Sequence, residues 1–359
     1  MKKLSKGNLG TKLILALLVS LSLVAWFGGE HNRLVACFGG DHDEVIRADD
    51  SPETLAPSPR DTSAKKIDCK PHLGQGGRIV ADNSIRFSEQ SMVKYLVEKQ
   101  KIAGWLDDID IYLMGYLSRV QHELNITGSV GEIGVHHGKF TIPIALFAAK
   151  SERIWAADLF EHNQKENVDR SGGGNEQKFM AHLEEYGLVG EEDAPYIQTI
   201  NSLKLDYSDL AARNFSSFRF LSIDGGHTHE TTLNDLIFAC DIVMDGSIIS
   251  VDDFPRPDWL GVASGLFAFV NGQSFLQPFL FSRNKAYLTT QNYGDKYIDS
   301  LESMGMNCKR NGRANQLQRS GIFTSNFCAL DCGTDKSCGG IATLESTKKL
   351  VSASWHTKA

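Results

Sequence analysis

Short apolar runs alternate with amphipathic segments through the middle of the chain. Runs rich in Val, Ile, Leu and Phe predict strands at 129–135, 154–158, 196–199, 218–224 and 247–251. Between these runs, apolar residues recur with helical spacing at 139–150, 175–186 and 231–244. The alternation of strands and helices predicts a parallel sheet with helices on both faces. A further helical stretch, 88–124, precedes the first strand and predicts a cap.

Two more apolar runs, 277–281 and 285–290, are separated by only three residues. Only an antiparallel hairpin fits so short a connection. The predicted fold class is therefore α/β, with a Rossmann-like, doubly wound, mostly parallel sheet of seven strands and one antiparallel strand near one edge. Ligands of such sheets bind at the carboxyl ends of the strands, so the residues that end the strands are the candidates for a site.

An uncharged apolar run of 15 residues, 13–27, follows the lysines of the N-terminus. A membrane span needs about 20 apolar residues, so residues 1–30 predict either a short signal anchor, which is favoured, or a signal peptide. An anchor would leave its lysines in the cytosol and place the rest of the chain in a lumen or outside the cell. We expect a single-pass membrane protein, attached through this segment, or a secreted protein if the segment is cleaved.

Two segments flank the predicted domain, 88–303, whose core is 129–290. Residues 31–87 carry many charges and four prolines without periodicity, which predicts a stem or linker. Residues 304–359 are polar and hold four of the seven cysteines. The spacing of these cysteines lacks a Cys-x2-Cys knuckle, so disulfides formed in an oxidising compartment are favoured over a metal site. Cys240, in an apolar helical stretch, is expected to be an unpaired thiol in the core.

The charge balance argues against one class of partner, the nucleic acids. The chain has 37 Lys+Arg and 44 Asp+Glu, a net charge of −7, whereas nonspecific nucleic-acid binding needs clustered basic residues. We therefore expect no nucleic-acid partner.

Two tripeptides, at 125–127 and 214–216, are N-glycosylation sequons that only a eukaryotic secretory pathway uses.

A glycine-rich turn, Glu132-x-Gly134-x3-Gly138, ends the first predicted strand. Glycines let the backbone approach a ligand, and the helix that follows presents free N–H groups. Asp158 ends the second strand 20 residues after Gly138, a distance at which an acidic residue suits the hydroxyls of a ribose. The spacing differs from the Gly-x-Gly-x-x-Gly of dinucleotide sites, which argues against an NAD-dependent oxidoreductase.

Carboxylates end the fourth and fifth strands, at Asp224 and at Asp252-Asp253. Neighbouring strand ends would bring these three side chains together, where they repel one another unless a cation or protons are present. Oxygen ligands favour a hard divalent ion such as Mg²⁺. The pattern predicts a metal site, while Asp253 would also suit a helix N-cap.

These motifs together resemble the class I S-adenosylmethionine-dependent methyltransferases, in particular methyltransferase family 24, which is similar to the metal-assisted O-methyltransferases of catechols and macrolide sugars. The resemblance implies S-adenosylmethionine as the cofactor. It implies these cofactor-binding residues: Glu132, Gly134, Gly138, Asp158, Leu159 and Ser202. Asn201 departs from the family pattern, since relatives often have Asp at that position.

The same resemblance implies a divalent cation, with Mg²⁺ favoured, on Asp224, Asp252 and Asp253. Catechol-type relatives carry a lysine base three residues after the first ligand, and His227 stands there in this sequence. Imidazole can act as a base near neutral pH, so His227 and Asp224 are the expected catalytic residues.

The resemblance thus implies an enzyme that methylates a hydroxyl on a small molecule or glycan. Two alternatives stay open: a noncatalytic binding or scaffold protein of the secretory pathway and, less favoured, an NAD-dependent oxidoreductase. A homo-oligomer also stays open as a partner.

Overall fold

The computed structural model describes part of the chain. The described residues are 66–70, 89–190, 194–306, 308, 317–319, 321–323, 325–330, 332, 335–336, 338 and 341–352. The chain divides into units of residues 1–61 and 62–359, and the described residues all belong to the second. The predicted signal anchor and most of the predicted stem lie outside the described residues. None of the helices in the described ranges is long and apolar enough to span a membrane.

The strands of the described residues form one mixed sheet. They are β1 Ser129–Ile133, β2 Ile154–Asp158, β3 Tyr196–Thr199, β4 Phe218–Ile223, β5 Val243–Val251, β6 Leu276–Phe281, β7 Ala286–Thr290 and β8 Cys328–Ala329. Their order is β3-β2-β1-β4-β5-β7-β6-β8, and β7 runs antiparallel to β5 and β6. The α/β class, the mostly parallel sheet and the reversed strand are confirmed, but the described residues give eight strands where seven were predicted.

Helices cover both faces of this sheet. They are α1 Glu89–Glu98, α2 Asp108–Glu123, α3 Thr141–Leu146, α4 Glu176–Glu185, α5 Tyr207–Ala212, α6 His229–Ile242, α7 Leu260–Gly272, α8 Gly294–Ser303 and α9 Leu344–Ser352. Successive strand residues point to opposite faces. Phe220 and Ile248 accordingly belong to a core with α1–α4, α8 and α9, whereas Leu221 and Ile249 belong to a core with α5–α7.

The eighth strand comes from the segment that the sequence predicted as a polar tail. β8 pairs in parallel with β6, and α9 contacts α1 and α2. Disulfides join Cys308 to Cys328 and Cys332 to Cys338, which confirms the predicted disulfides. β8 has only two residues and is too short to show as a periodic pattern, so the predicted boundary at residue 303 separates residues that pack together.

The expectation for Cys240 was wrong. Cys240 is buried at the end of α6 and forms a disulfide with Cys69, which lies in the segment predicted as stem. The backbone N–H of Ile67 donates to the carbonyl of Gly272 at 2.8 Å, so residues 66–70 lie against the domain. An apolar helical pattern predicts that Cys240 is buried, but it does not predict a disulfide with a cysteine that is distant in the sequence.

Candidate active site

A cavity of about 480 Å³ opens at the carboxyl ends of β1, β2, β4 and β5. Its volume lies within the range of about 300–1,000 Å³ that is typical of ligand pockets. Its wall includes every predicted site residue except Gly138: Glu132, Gly134, Asp158, Leu159, Ser202, Asp224, His227, Asp252 and Asp253. The strand order therefore brings together residues that are up to 121 positions apart in the sequence.

The two glycines of the first turn have different surroundings. Gly134 has φ +87°, and a Cβ atom there would lie 1.7 Å from the carbonyl oxygen of Asp224, so only glycine fits between the ends of β1 and β4. Gly138 has φ +86° and lies against the ring of Phe179, where an added Cβ would approach to 2.6 Å. Gly138 thus allows α4 to pack closely on the turn and is not part of the cavity wall.

Glu132 and Asp158 are acidic groups in the wall of the cavity. The Glu132 carboxyl is buried, accepts a hydrogen bond from Oγ1 of Thr141, and has its pKa raised to about 8 by burial. The Asp158 oxygens accept from the backbone N–H of His136 at 2.8 Å and of Phe160 at 2.6 Å. Burial raises the pKa of Asp158 against these bonds. Because a carboxylate oxygen can accept two hydrogen bonds, Asp158 can still receive a diol.

Asn201 and Ser202 begin a short 3₁₀ turn beside β3. The side chain of Asn201 accepts from the backbone N–H of Leu203 at 3.0 Å and donates to Glu166 at 3.2 Å. An asparagine can make both contacts because its amide both accepts and donates. The departure from Asp at this position thus coincides with a contact to the segment after β2.

Asp252 is paired with a buried lysine that the sequence analysis did not single out. Nζ of Lys285 lies 2.5 Å from Oδ2 of Asp252, and the Lys285 side chain is 2% exposed. Oδ1 of Asp252 accepts from Nδ2 of Asn284 at 2.8 Å. The negative charge of Asp252 is therefore balanced by the positive charge of Lys285.

Asp224 has no such partner. Within the described ranges, no group hydrogen-bonds to or ion-pairs with its carboxylate. Enclosure in the protein and the negative charge of Asp252 raise its pKa well above the ordinary value, against the effect of Lys285. The protein therefore favours the neutral form of Asp224, which lacks a direct partner for its charge, in the rim that Asp224, Asp252 and Asp253 form and that we call the acidic rim.

His227 joins the acidic rim to the segment between β2 and α4. Its Nε2 lies 2.8 Å from Oδ2 of Asp253, and its Nδ1 lies 3.0 Å from Oδ2 of Asp169. The ring stacks on Trp259 with centroids 4.1 Å apart. Burial lowers the pKa of His227, but the hydrogen bonds to Asp169 and Asp253 outweigh it and raise the pKa to about 9.

The ligand-type atoms of Asp224, His227 and Asp253 all lie within 4.8 Å of one another. This group overlaps the predicted metal set in two members, and His227 takes the place of Asp252, whose carboxylate is held by Lys285. The arrangement of a free carboxylate beside a second one suits a small cation with oxygen ligands. The metal site stays a prediction.

Residues 132–254 match a protein-family model described as a methyltransferase domain. These residues form a methyltransferase domain. The match confirms the predicted resemblance and the predicted class of enzyme, an S-adenosylmethionine-dependent methyltransferase. It runs from the glycine-rich turn to just beyond the acidic rim and thus spans all of the predicted site residues.

Several solved structures are similar to the methyltransferase domain. They include CalS11, a TDP-rhamnose 3′-O-methyltransferase of calicheamicin biosynthesis, at 17% identity and TM-score 0.37, over 49% of this chain and 77% of that one. The O-methyltransferase NovP has 15% identity and TM-score 0.40, over 50% of this chain and 79% of that one. An O-methyltransferase from Bacillus cereus, in complex with SAH, has 13% identity and TM-score 0.42, over 57% and 92%. A search of curated proteins found no match.

Sequence reasoning missed Lys285, Asp169 and their contacts. Lys285 directly precedes β7 in the hairpin connection, where a lysine is usually a solvated turn residue. Asp169 lies in a polar connection after β2, just before a run of three glycines, a composition typical of a plain loop. Neither position follows a strand end of the parallel sheet, which is the signal that found the other residues.

Proposed function

We propose that the methyltransferase domain transfers a methyl group to a hydroxyl of a small molecule or glycan, with the assistance of a divalent cation. The observation that carries the proposal is the position of His227. Its Nε2 faces the acidic rim, 2.8 Å from Asp253, in the same cavity as the residues proposed to hold the cofactor.

The cofactor would be held at the β1, β2 and β3 side of the cavity. Gly134 supports this assignment. The turn passes so close to Asp224 that no side chain fits at Gly134, so the backbone of Gly134 itself lines the cavity. Asp158 has free acceptor positions for the ribose hydroxyls, and Glu132, Leu159 and Ser202 complete this wall. We keep Gly138 as a residue that shapes the turn.

The cation would be held by Asp224 and Asp253, with Asp252 as the third predicted ligand. Asp224 supports the fit, because its half-buried carboxyl has no ion-pair partner among the described residues and a bound cation would favour its charged form. When bound, S-adenosylmethionine supplies a methyl group activated on a sulfonium, and a divalent cation supplies positive charge that lowers the pKa of a hydroxyl.

The task left to the protein's own residues is to hold the acceptor hydroxyl and to take its proton. Nε2 of His227 is placed for that proton. With both carboxylates beside it, the ring holds a proton at neutral pH, since its pKa is about 9. Positive charge next to Asp253 would lower that pKa toward neutrality, where imidazole is an effective base.

We further propose that the domain works in an oxidising compartment, as a membrane-anchored protein facing a lumen or the exterior, or as a secreted one. Three disulfides among the described cysteines support this location, because disulfides persist in such compartments.

The test is methyl transfer by the full chain from labelled S-adenosylmethionine to a panel of catechols, sugars and other hydroxyl compounds, in Mg²⁺ or in chelator. We expect transfer that needs the cation. Asp224→Asn should abolish it while leaving cofactor affinity unchanged. Asp245→Asn is the matched control, because Asp245 is exposed near the opposite end of β5. No transfer to any acceptor, or full activity of Asp224→Asn, would contradict the proposal.

A further inference from the structure

The segment between β2 and α4 forms one wall of the cavity, since residues 166–174 all line it. It is attached at two places. Glu166 accepts from Nζ of Lys204 at 2.7 Å, on the side of β3. Asp169 reaches His227 on the side of β4.

Asp169 makes a set of contacts that centres on His227. Oδ2 of Asp169 lies 3.0 Å from Nδ1 and also accepts from the backbone N–H of His227. Oδ1 accepts from the hydroxyl of Ser171 at 2.5 Å and from its backbone N–H at 2.9 Å. The Ser171 hydroxyl is 2.8 Å from Nδ1 of His227. The side chains of Asp169 and His227 are only 11% and 13% exposed.

Each nitrogen of the His227 ring faces a carboxylate, Asp169 at Nδ1 and Asp253 at Nε2. A neutral imidazole carries a proton on one nitrogen and accepts on the other. A carboxylate held against Nδ1 stabilises the proton there and fixes the plane of the ring. Asp253 is one of the proposed cation ligands, and a carboxylate that binds a cation attracts a proton less strongly. With the cation bound, a neutral ring would hold its proton at Nδ1, beside Asp169, and present the lone pair of Nε2 to the acidic rim.

We propose that Asp169 is a positioning residue of the methyltransferase site: it holds His227 with Nδ1 protonated and Nε2 directed at the acceptor. This inference rests on the proposed role of His227 as the base. The acceptor gives its proton to Nε2, and Asp169 itself neither takes nor gives one.

A purely structural role for Asp169 predicts something else. If Asp169 only fastened the segment to β4, its loss would lower stability and cofactor affinity together with turnover. A positioning role lowers kcat alone and changes the tautomer of one histidine. The two roles therefore differ in observables that do not depend on knowing the natural acceptor.

The test uses the full chain with Asp169→Ala, Asp169→Glu and the control Asp258→Asn, an exposed carboxylate that pairs with Arg256. We expect Asp169→Ala to lower kcat by about 100-fold or more, the usual contribution of a general base, with the KM for S-adenosylmethionine and the unfolding midpoint unchanged. Asp169→Glu should restore part of kcat, and the control should match the wild type.

A second readout is long-range ¹H–¹⁵N NMR of the neutral His227 ring, assigned with His227→Gln. In saturating Mg²⁺ we expect a protonated Nδ1 in the wild type and in Asp169→Glu, and its loss in Asp169→Ala. Unchanged kcat, an unchanged tautomer, or equal losses of kcat, affinity and stability would overturn the proposal. A wild-type chain without methyl transfer would instead count against the proposed function, while the tautomer would still report on Asp169.

The two sequons support a second, independent inference. Asn125 lies between α2 and β1, and Asn214 lies between α5 and β4. Both residues are exposed and have positive φ, 56° and 58°, as at the left-handed ends of helices. β1 and β4 are parallel neighbours, so both asparagines lie at the edge of the sheet opposite to the cavity.

Both asparagines are exposed at this edge, and this inference rests on the export of the chain that is proposed above. Among the described residues, neither asparagine side chain has a hydrogen-bond partner, so Nδ2 is available for attachment. The three disulfides are compatible with the oxidising compartment of eukaryotes in which N-linked glycans are added. We infer that Asn125 and Asn214 each carry an N-linked glycan, on the side of the domain away from the acceptor.

The test is expression of the full chain in a eukaryotic secretory host, followed by digestion with peptide N-glycosidase. We expect a loss of mass that falls by one glycan in Asn125→Gln, by one in Asn214→Gln and completely in the double variant. Asn271→Gln, an exposed asparagine outside any sequon, should behave as the wild type. If digestion leaves the mass of the wild-type chain unchanged, the inference is overturned, even where the disulfides are shown to have formed.

Discussion

Lys285→Met would remove the buried cation that holds the acidic rim together. Burial opposes the charge of Lys285, but the carboxylates of Asp252, Asp224 and Asp110 outweigh it and raise its pKa. Met keeps most of the length of the side chain and removes only the charge. The substitution leaves Asp252 without its ion pair at 2.5 Å and adds one uncompensated negative charge to the cavity.

The size of the effect follows from this burial. Removing one partner of a buried ion pair costs about 3–5 kcal/mol, a large part of the roughly 5–15 kcal/mol by which proteins are stable. A cation that binds the folded state returns stability, by about 2.7 kcal/mol at a concentration of 100 times its Kd. We therefore expect the loss to be largest in chelator and smaller in saturating Mg²⁺.

The assay is urea unfolding of the wild type and Lys285→Met, each in chelator and in Mg²⁺, with disulfides intact. Lys101→Met is the matched control, because its exposed lysine pairs with Glu98 at the surface and should lose no measurable stability. A loss below about 1 kcal/mol for Lys285→Met, the range of surface pairs, would refute the reasoning. A loss that Mg²⁺ does not reduce would refute the assignment of a cation to the acidic rim.

Three further predictions concern single residues. Glu152→Gln should cost about 3–5 kcal/mol in urea unfolding, because it leaves the buried guanidinium of Arg219 without its partner at 2.6 Å. Burial opposes ionisation of Glu152, but Arg219 outweighs it and lowers the pKa of Glu152. The contribution of Glu152 to the free energy of unfolding is therefore present above the pKa of the unfolded state and is lost as the pH falls. An equal pH dependence of stability in the wild type and the variant would contradict this. NMR titration of His227 should give a pKa of about 9 in chelator and a lower one in Mg²⁺, and an unchanged pKa would argue against a cation at the rim. Gly134→Ala should abolish cofactor binding in a calorimetric titration because its Cβ would lie 1.7 Å from a backbone carbonyl. Gly294→Ala should retain binding, because Gly294 lies outside the cavity wall and its Cβ would meet nothing nearer than 3.6 Å.

Period and order of the apolar runs were sufficient to predict the parallel part of the sheet. The predicted and observed bounds of β2 and β3 coincide, because short, β-branched or aromatic runs bounded by polar residues have few other solutions. The site residues on strand ends were predictable for the same reason, since parallel strands place their carboxyl ends at one edge.

The rest of the site depends on contacts that no local pattern records. Lys285 meets Asp252 only because β7 inserts between β5 and β6, so that the hairpin turn lies beside the end of β5. Asp169 meets His227 because the segment after β2 follows the cavity wall instead of crossing directly to α4. Sequence separations of 33 and 58 residues carry no periodic signal, so these pairs became visible only in three dimensions.

The central claim is that this cavity binds S-adenosylmethionine, and calorimetric titration of the full chain with that cofactor tests it most directly. The account predicts saturable binding at one site per chain, weakened in Asp158→Asn, and no binding of NAD⁺ under the same conditions. Absence of S-adenosylmethionine binding by the folded chain, or saturable binding of NAD⁺ in its place, would contradict it.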